Sequence, residues 1–156
     1  MKIFVSLFYL IYIVYSCEPV KNQEKEVVSV TYESNKIVNH LSENYYILNS
    51  RFKHPGRYSL MMSKNEIFSI KKKILDDKFY KLNDSLNFVK SCKTGCKSII
   101  EIQYKSGRKQ YFVFDNYNYK NNFNNWDYKK IVNLEEYIAK LMMSKKFDPD
   151  PINVKF

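Results

Sequence analysis

Apolar and polar positions alternate along some stretches of this chain and recur every three or four residues along others, and the two periods predict its frame. Val27–Glu33 alternates, with Val28, Val30 and Tyr32 on one face. Residues 34–44 show neither period. Tyr45–Leu48 and Arg57–Met62 read as strands joined through the turn signal His54-Pro55-Gly56. Ser98–Tyr104 and Lys109–Phe114 alternate on either side of Lys105-Ser106-Gly107-Arg108, which predicts a hairpin turning at Ser106-Gly107. Ser63-Lys64-Asn65-Glu66 is a capping box, and Ile67, Ile70 and Ile74 follow as a helical stripe widened by Phe68 and Leu75. A second helix is expected from Asn133 as N-cap, with Glu136 completing a box and Leu134, Tyr137, Ile138, Leu141 and Met142 as its apolar face. Asp148-Pro149-Asp150-Pro151 would stop it. Without regular βαβ alternation, the class is α+β: a small antiparallel sheet built from hairpins, packed with two amphipathic helices at about 64–76 and 134–145.

The first seventeen residues add a compartment. Lys2 precedes an apolar run from Ile3 to Tyr15, thirteen residues long, followed by Ser16-Cys17. A cationic start, a short apolar run and a small-residue cleavage point make an export signal, and the run falls well below the roughly 20 residues a spanning helix needs. Val14-Tyr15-Ser16-Cys17 resembles a bacterial lipobox, in which a cysteine follows a branched apolar residue and two small ones; Val14 and Ser16 fit it and the bulky Tyr15 departs from it. The organisation read from this is a signal peptide at 1–16, a lipid-anchored tether at 17–26 and one α+β domain at 27–156. Cys17 is the expected lipidation site, and the protein a membrane-anchored lipoprotein of the bacterial cell envelope. An ordinary signal cut is the alternative, because Val14 and Ser16 also satisfy a small-x-small rule, and would leave the protein periplasmic or secreted.

With Cys17 assigned to lipid, Cys92 and Cys96 remain as a pair, and an oxidising compartment favours a disulfide between them. An extended Cys92–Cys96 stretch would span about 13 Å, whereas a disulfide holds its Cα atoms about 5.5 Å apart. Lys93-Thr94-Gly95 would therefore turn. A redox pair or a metal site are the alternatives. Redox motifs place two residues between the cysteines, where this chain has three. Zinc would need further ligands, and His40 and His54 show no ligand spacing.

From about Tyr45 to Phe147 the order of motifs resembles a domain of unknown function found in small lipoproteins of Bacteroidota. The residues that carry the likeness are Gly56-Arg57-Tyr58, Ser63–Glu66, Phe79-Tyr80-Lys81-Leu82, Gly107 and Leu134–Leu141. The family's opening Cys-x-Gly-x-Cys-Pro-like turn is missing, and Cys92-Lys93-Thr94-Gly95-Cys96 stands elsewhere. The resemblance implies the fold class and the anchor, and no activity.

Charge changes the picture least. The chain carries 26 Lys and Arg against 16 Asp and Glu, a formal charge of +10. Interleaved aromatics, as in Lys109-Gln110-Tyr111-Phe112, would suit nucleic acid, but export argues against it and no nucleic-acid partner is expected. Anionic lipid or polysaccharide fits a membrane surface better; a compositional bias toward Lys, Asn, Ile, Tyr and Phe, with a single Ala, accounts for the charge more simply than either. Tyr117, Tyr119, Trp126 and Tyr128, with Phe123, could form a ligand-stacking loop, or could cover a core edge. Asp76 and Asp77 are adjacent and do not form a spaced acid–base pair, and no nucleophile elbow, His-x-x-x-His pair or phosphate-cradling glycine loop occurs. The expectation is a binding or structural-accessory protein, with no catalytic residue, cofactor or metal assigned; a small envelope enzyme is the third reading.

Overall fold

A computed structural model describes residues 25–89, 97–115 and 122–145 of the chain. They form β1 (Val27–Ser34), β2 (Ile37–His40), β3 (Tyr45–Leu48), β4 (Gly56–Ser59), α1 (Lys64–Asp76), β5 (Ser85–Asn87), β6 (Ser98–Tyr104), β7 (Lys109–Phe114) and α2 (Trp126–Met143), with a 3₁₀ turn at Phe79–Lys81. The strands make one seven-stranded sheet in the order β4-β3-β2-β1-β6-β7-β5. Every neighbouring pair is antiparallel except β5 and β7, which run parallel.

The small antiparallel sheet expected from the sequence is thus corrected: the sheet is large and mixed. Two short segments escaped the period count. Asn35 (φ 50°) and Lys36 (φ 66°) form the two-residue turn between β1 and β2. Positive φ at both positions matches the twist of the flanking strands, but Asn-Lys lacks the glycine that would advertise such a turn. Ser85–Asn87 is only three residues long and joins the sheet by pairing Leu86 with Phe112.

Both helices close one face of the sheet. Val30 and Tyr32 of β1, Ile100 and Ile102 of β6, and Phe112 and Phe114 of β7 meet Ile70 and Ile74 of α1 and Tyr128, Ile131, Leu134 and Ile138 of α2 in one buried cluster. Burial of each such side chain stabilises by roughly 1.5–3 kcal/mol before the entropy of ordering is counted. In β1 the register slips between Val27 and Ser29. This bulge buries Val27 and leaves Val28 exposed, so Val28 does not share the face of Val30 and Tyr32. β4 ends at Ser59 because Met61 turns to φ 55°. The Met62 backbone bonds instead to the Asn44 side chain, its N–H donating to Oδ1 at 2.9 Å and its carbonyl accepting from Nδ2 at 2.9 Å.

The capping box of α1 forms as read: Glu66 N–H donates to Ser63 Oγ, and Ser63 N–H donates to the Glu66 carboxylate. The second helix does not begin at Asn133. Asn125 caps it, accepting from the N–H groups of Asp127 and Tyr128 at 2.9 and 3.0 Å. Asn133 lies exposed inside α2. The helix starts two turns earlier than expected, because Tyr128, Ile131 and Val132 continue its buried face while Trp126, Asp127, Lys129 and Lys130 read as a polar and aromatic loop.

Buried amides pin the remaining turns. Gln110 donates from Nε2 to the carbonyls of Phe79 and Leu82 and accepts from the Tyr104 hydroxyl at 2.6 Å. Burial pushes the Tyr104 phenol up to about 12, with Arg108 acting the other way. Arg108 reaches the Tyr80 and Leu82 carbonyls and Asp84, fastening the 3₁₀ turn to the β6–β7 hairpin. That hairpin turns where Gly107 takes φ 86°, a conformation that suits glycine.

Candidate functional site

The first turn of α2 separates the aromatic residues that the sequence grouped as a stacking loop. The Asn125 cap sets the helix phase, so Trp126 points outward, 80% exposed, while Tyr128 points inward with no exposed surface. The Tyr128 hydroxyl donates to the Asp115 carbonyl at 2.9 Å and its ring meets Phe88 edge-on. Tyr128 is therefore a core residue and cannot stack on a ligand. Phe123 is exposed beside Trp126. Tyr117 and Tyr119 lie outside the described residues, as do Cys17, Cys92 and Cys96.

Trp126 stands at one end of an open groove between α1 and α2. Its wider part, about 480 Å³, is lined by Lys73, Asp77, Trp126, Lys129, Lys130 and Asn133 together with Asp127. A shallower part of about 300 Å³ continues past Lys73 and Asp77 to Ser69, Lys72, Asp76 and Tyr137. The Lys129 ammonium lies 4.6 Å from the centre of the Phe123 ring and 5.3 Å from that of Trp126. A cation held over indole is an attraction of the ring's negative face.

Charge pairing inside the groove is partial. Lys72 pairs with Asp76 and Lys73 with Asp77, each one helical turn apart. Neighbouring Lys71 donates to the Val28 carbonyl at 2.7 Å, and Lys73 also lies over the Tyr137 ring. Asp76 and Asp77 serve lysines rather than each other. On the α2 side, Lys129 and Lys130 face the single acid Asp127. The arrangement can hold a ligand with a flat apolar face and negative or hydroxyl-rich edges. It places no nucleophile against a base.

Sequence reading missed Lys129 and Lys130. Trp126, Lys129, Lys130 and Asn133 are spaced by three and four residues and share one helix face. With the helix expected to start at Asn133, that spacing carried no meaning.

A second polar cluster is sealed. Tyr32 donates to Glu135 at 2.8 Å, and Ser98 lies 3.5 Å from both Glu135 and Ser34. Tyr32, Ser98 and Glu135 are 6, 6 and 7% exposed. Burial first, and the nearby Glu135 charge after the opposing Ser34 bond, hold the Tyr32 phenol far above its ordinary value. The hydrogen bond from the Tyr32 hydroxyl to Glu135 forms a clasp between α2 and β1. Closed to solvent, they act on packing. Among the described residues no group of three or more His, Cys, Asp or Glu side chains is placed to hold a metal ion, and no helix is long and apolar enough to cross a membrane. His40 instead stacks on Tyr45 at 4.3 Å.

No family model, curated protein or solved structure matches this chain. The likeness to the Bacteroidota lipoprotein domain therefore stands on its quoted motifs alone.

Proposed function

We propose that this protein is exported, anchored in the bacterial cell envelope through lipid on Cys17, and serves there by binding an anionic or glycan ligand in the α1–α2 groove. The anchor rests on the N-terminal motif. The binding role is carried by one observation: Trp126, 80% exposed, shares a groove with Lys129 and Lys130. An acidic sugar offers what that groove would take, an apolar ring face for indole and a carboxylate or sulfate for the ammonium groups. The expected effect of Trp126→Ala is about tenfold weaker binding to charged glycans on an array, in line with one stacking contact. Unchanged binding removes the groove from the function.

A soluble periplasmic or secreted protein is the second reading, favoured by the small-x-small pattern of Val14 and Ser16. Intact mass of protein extracted from membranes separates the two. Acyl chains on a mature chain starting at Cys17 support the anchor; an unmodified Cys17 or an uncut chain sinks it. In the same preparation, non-reducing peptide mapping reports on the proposed Cys92–Cys96 disulfide, which free thiols at both positions would refute.

A further inference from the structure

The chain enters the folded domain at one end of the sheet, and that end is basic. Lys25 lies with its ammonium 4.6 Å from the centre of the Tyr80 ring. Glu26 is held by the β6–β7 turn, its carbonyl accepting from Lys105 N–H at 2.8 Å and its carboxylate pairing with the Lys105 ammonium at 2.9 Å. Lys71 reaches the start of β1 through the Val28 carbonyl. Arg108, on the same turn as Lys105, bonds the Tyr80 carbonyl, and the exposed Lys78 and Lys81 flank Tyr80 in the 3₁₀ turn. Six cations therefore gather around the point where the tether meets the domain. Carboxylates near it are already engaged: Glu26 and Asp84 by Lys105 and Arg108, Asp77, next to Lys78, by Lys73, and Glu43 by the Ser29 hydroxyl.

We propose that this end of the domain, carrying Lys25, Lys71, Lys78, Lys81, Lys105 and Arg108, rests on the anionic headgroups of the membrane that holds the anchor. The inference builds on the lipid-anchor reading and adds an orientation to it. Two observations carry it. The first is reach: only seven residues lie between Cys17 and Lys25, so the domain's entry point cannot stand more than about 28 Å from the anchored residue. The β1–β2 turn at Lys36 lies at the opposite end of an eight-residue strand, roughly 25 Å farther along the sheet. The second is complementarity. Lysines contribute attraction to an anionic leaflet only within about a Debye length, roughly 8–10 Å, of its surface. The tether allows that distance to this end of the domain.

The test uses the full-length protein, extracted from membranes and reconstituted into phosphatidylcholine vesicles with or without phosphatidylglycerol. Acetylation rates of individual lysines are followed by mass spectrometry. Lys25, Lys78, Lys81 and Lys105 are expected to react several-fold more slowly on the anionic vesicles, with Lys36 and Lys130 unchanged and the difference erased by high salt. Equal rates on both vesicles, or equal slowing at Lys36 and Lys130, overturn the proposal. Lys78→Gln with Lys81→Gln, both at exposed positions, should abolish most of the slowing at Lys25 and Lys105; full retention counts against it. The anchor is read separately, from intact mass. Protein without lipid that still floats with anionic vesicles, and not with neutral ones, upholds the basic end and overturns the anchor. Flotation with neither overturns both.

Discussion

The middle of the sheet and its β2–β3–β4 wing are held by different physics. β1, β6 and β7 lie under both helices and contribute to a cluster of twenty buried residues, whereas the wing has a cluster of three, Ile37, Leu48 and Phe52. So little apolar burial cannot order three strands by itself. Polar and aromatic contacts hold the wing instead. Tyr46 stacks on Tyr58 at 5.3 Å, Arg57 lies 3.5 Å over the Tyr45 ring, and the Asn44 amide stands in for the strand that stops at Ser59. β4 is exposed at every position. Geometry-dependent contacts of this kind fail one at a time, so the wing should open locally while the middle unfolds only with the whole domain.

The largest blow to this contrast comes from Phe112, fully buried in β7 and tilted against Phe79 at 5.9 Å. Phe112→Ala should lower global stability by about 3–5 kcal/mol, measured by urea unfolding, with exchange protection falling everywhere. Asn44→Ala removes both bonds to Met62 and should cost about 1–2 kcal/mol, but amide exchange should speed up in β3 and β4 while β6 and β7 stay protected. Equal acceleration in β6 would show that wing and middle form one cooperative unit. Asn125→Ala strips the cap of α2 and should cost about 1 kcal/mol, with fraying confined to the turn that carries Trp126. Full retention of groove binding in that variant would mean the helix start does not position the indole.

The smallest expected effect is on acid sensitivity. The Lys145 ammonium bonds both Glu66 oxygens at 2.7 and 2.9 Å, and the Ser63 backbone and hydroxyl groups add to it, so the Glu66 carboxyl is lowered to about 2. A carboxyl whose folded value is depressed contributes stability above its unfolded value, near 4.5, that is lost as pH falls toward about 2. Melting temperature against pH should therefore drop more steeply over that window in the wild type than in Glu66→Gln. Parallel curves would remove the ion pair between the two helix ends from the stability of the domain.

Much of the middle was legible in the sequence, because wide apolar stripes leave a period that survives translation into three dimensions. Ser63–Glu66 announced α1, and Ser106-Gly107 the β6–β7 hairpin. The wing was legible only in part: Tyr45–Leu48 read as a strand and Arg57–Met62 overlaps β4, but β2 and its turn at Asn35-Lys36 went unread, because that turn needs positive φ from residues that do not advertise it. The candidate groove was half legible. Trp126 was singled out as a residue that either stacks on a ligand or covers a core edge, but grouping it with Tyr128 treated an outward and an inward residue as one surface. The error came from placing the N-cap at Asn133 among several asparagines, any of which could serve.

From sequence alone came the α1 cap and stripe, the central alternating strands, and the N-terminal run that points to export, since each depends on neighbours a few residues apart. Tertiary structure alone decided the sheet order, the parallel pairing of β5 with β7, the burial of Tyr128 and the groove that joins Lys73 of α1 to Lys130 of α2. Those features bring together residues far apart in the chain, and which partners meet is set by how the helices cover the sheet, which no local period records.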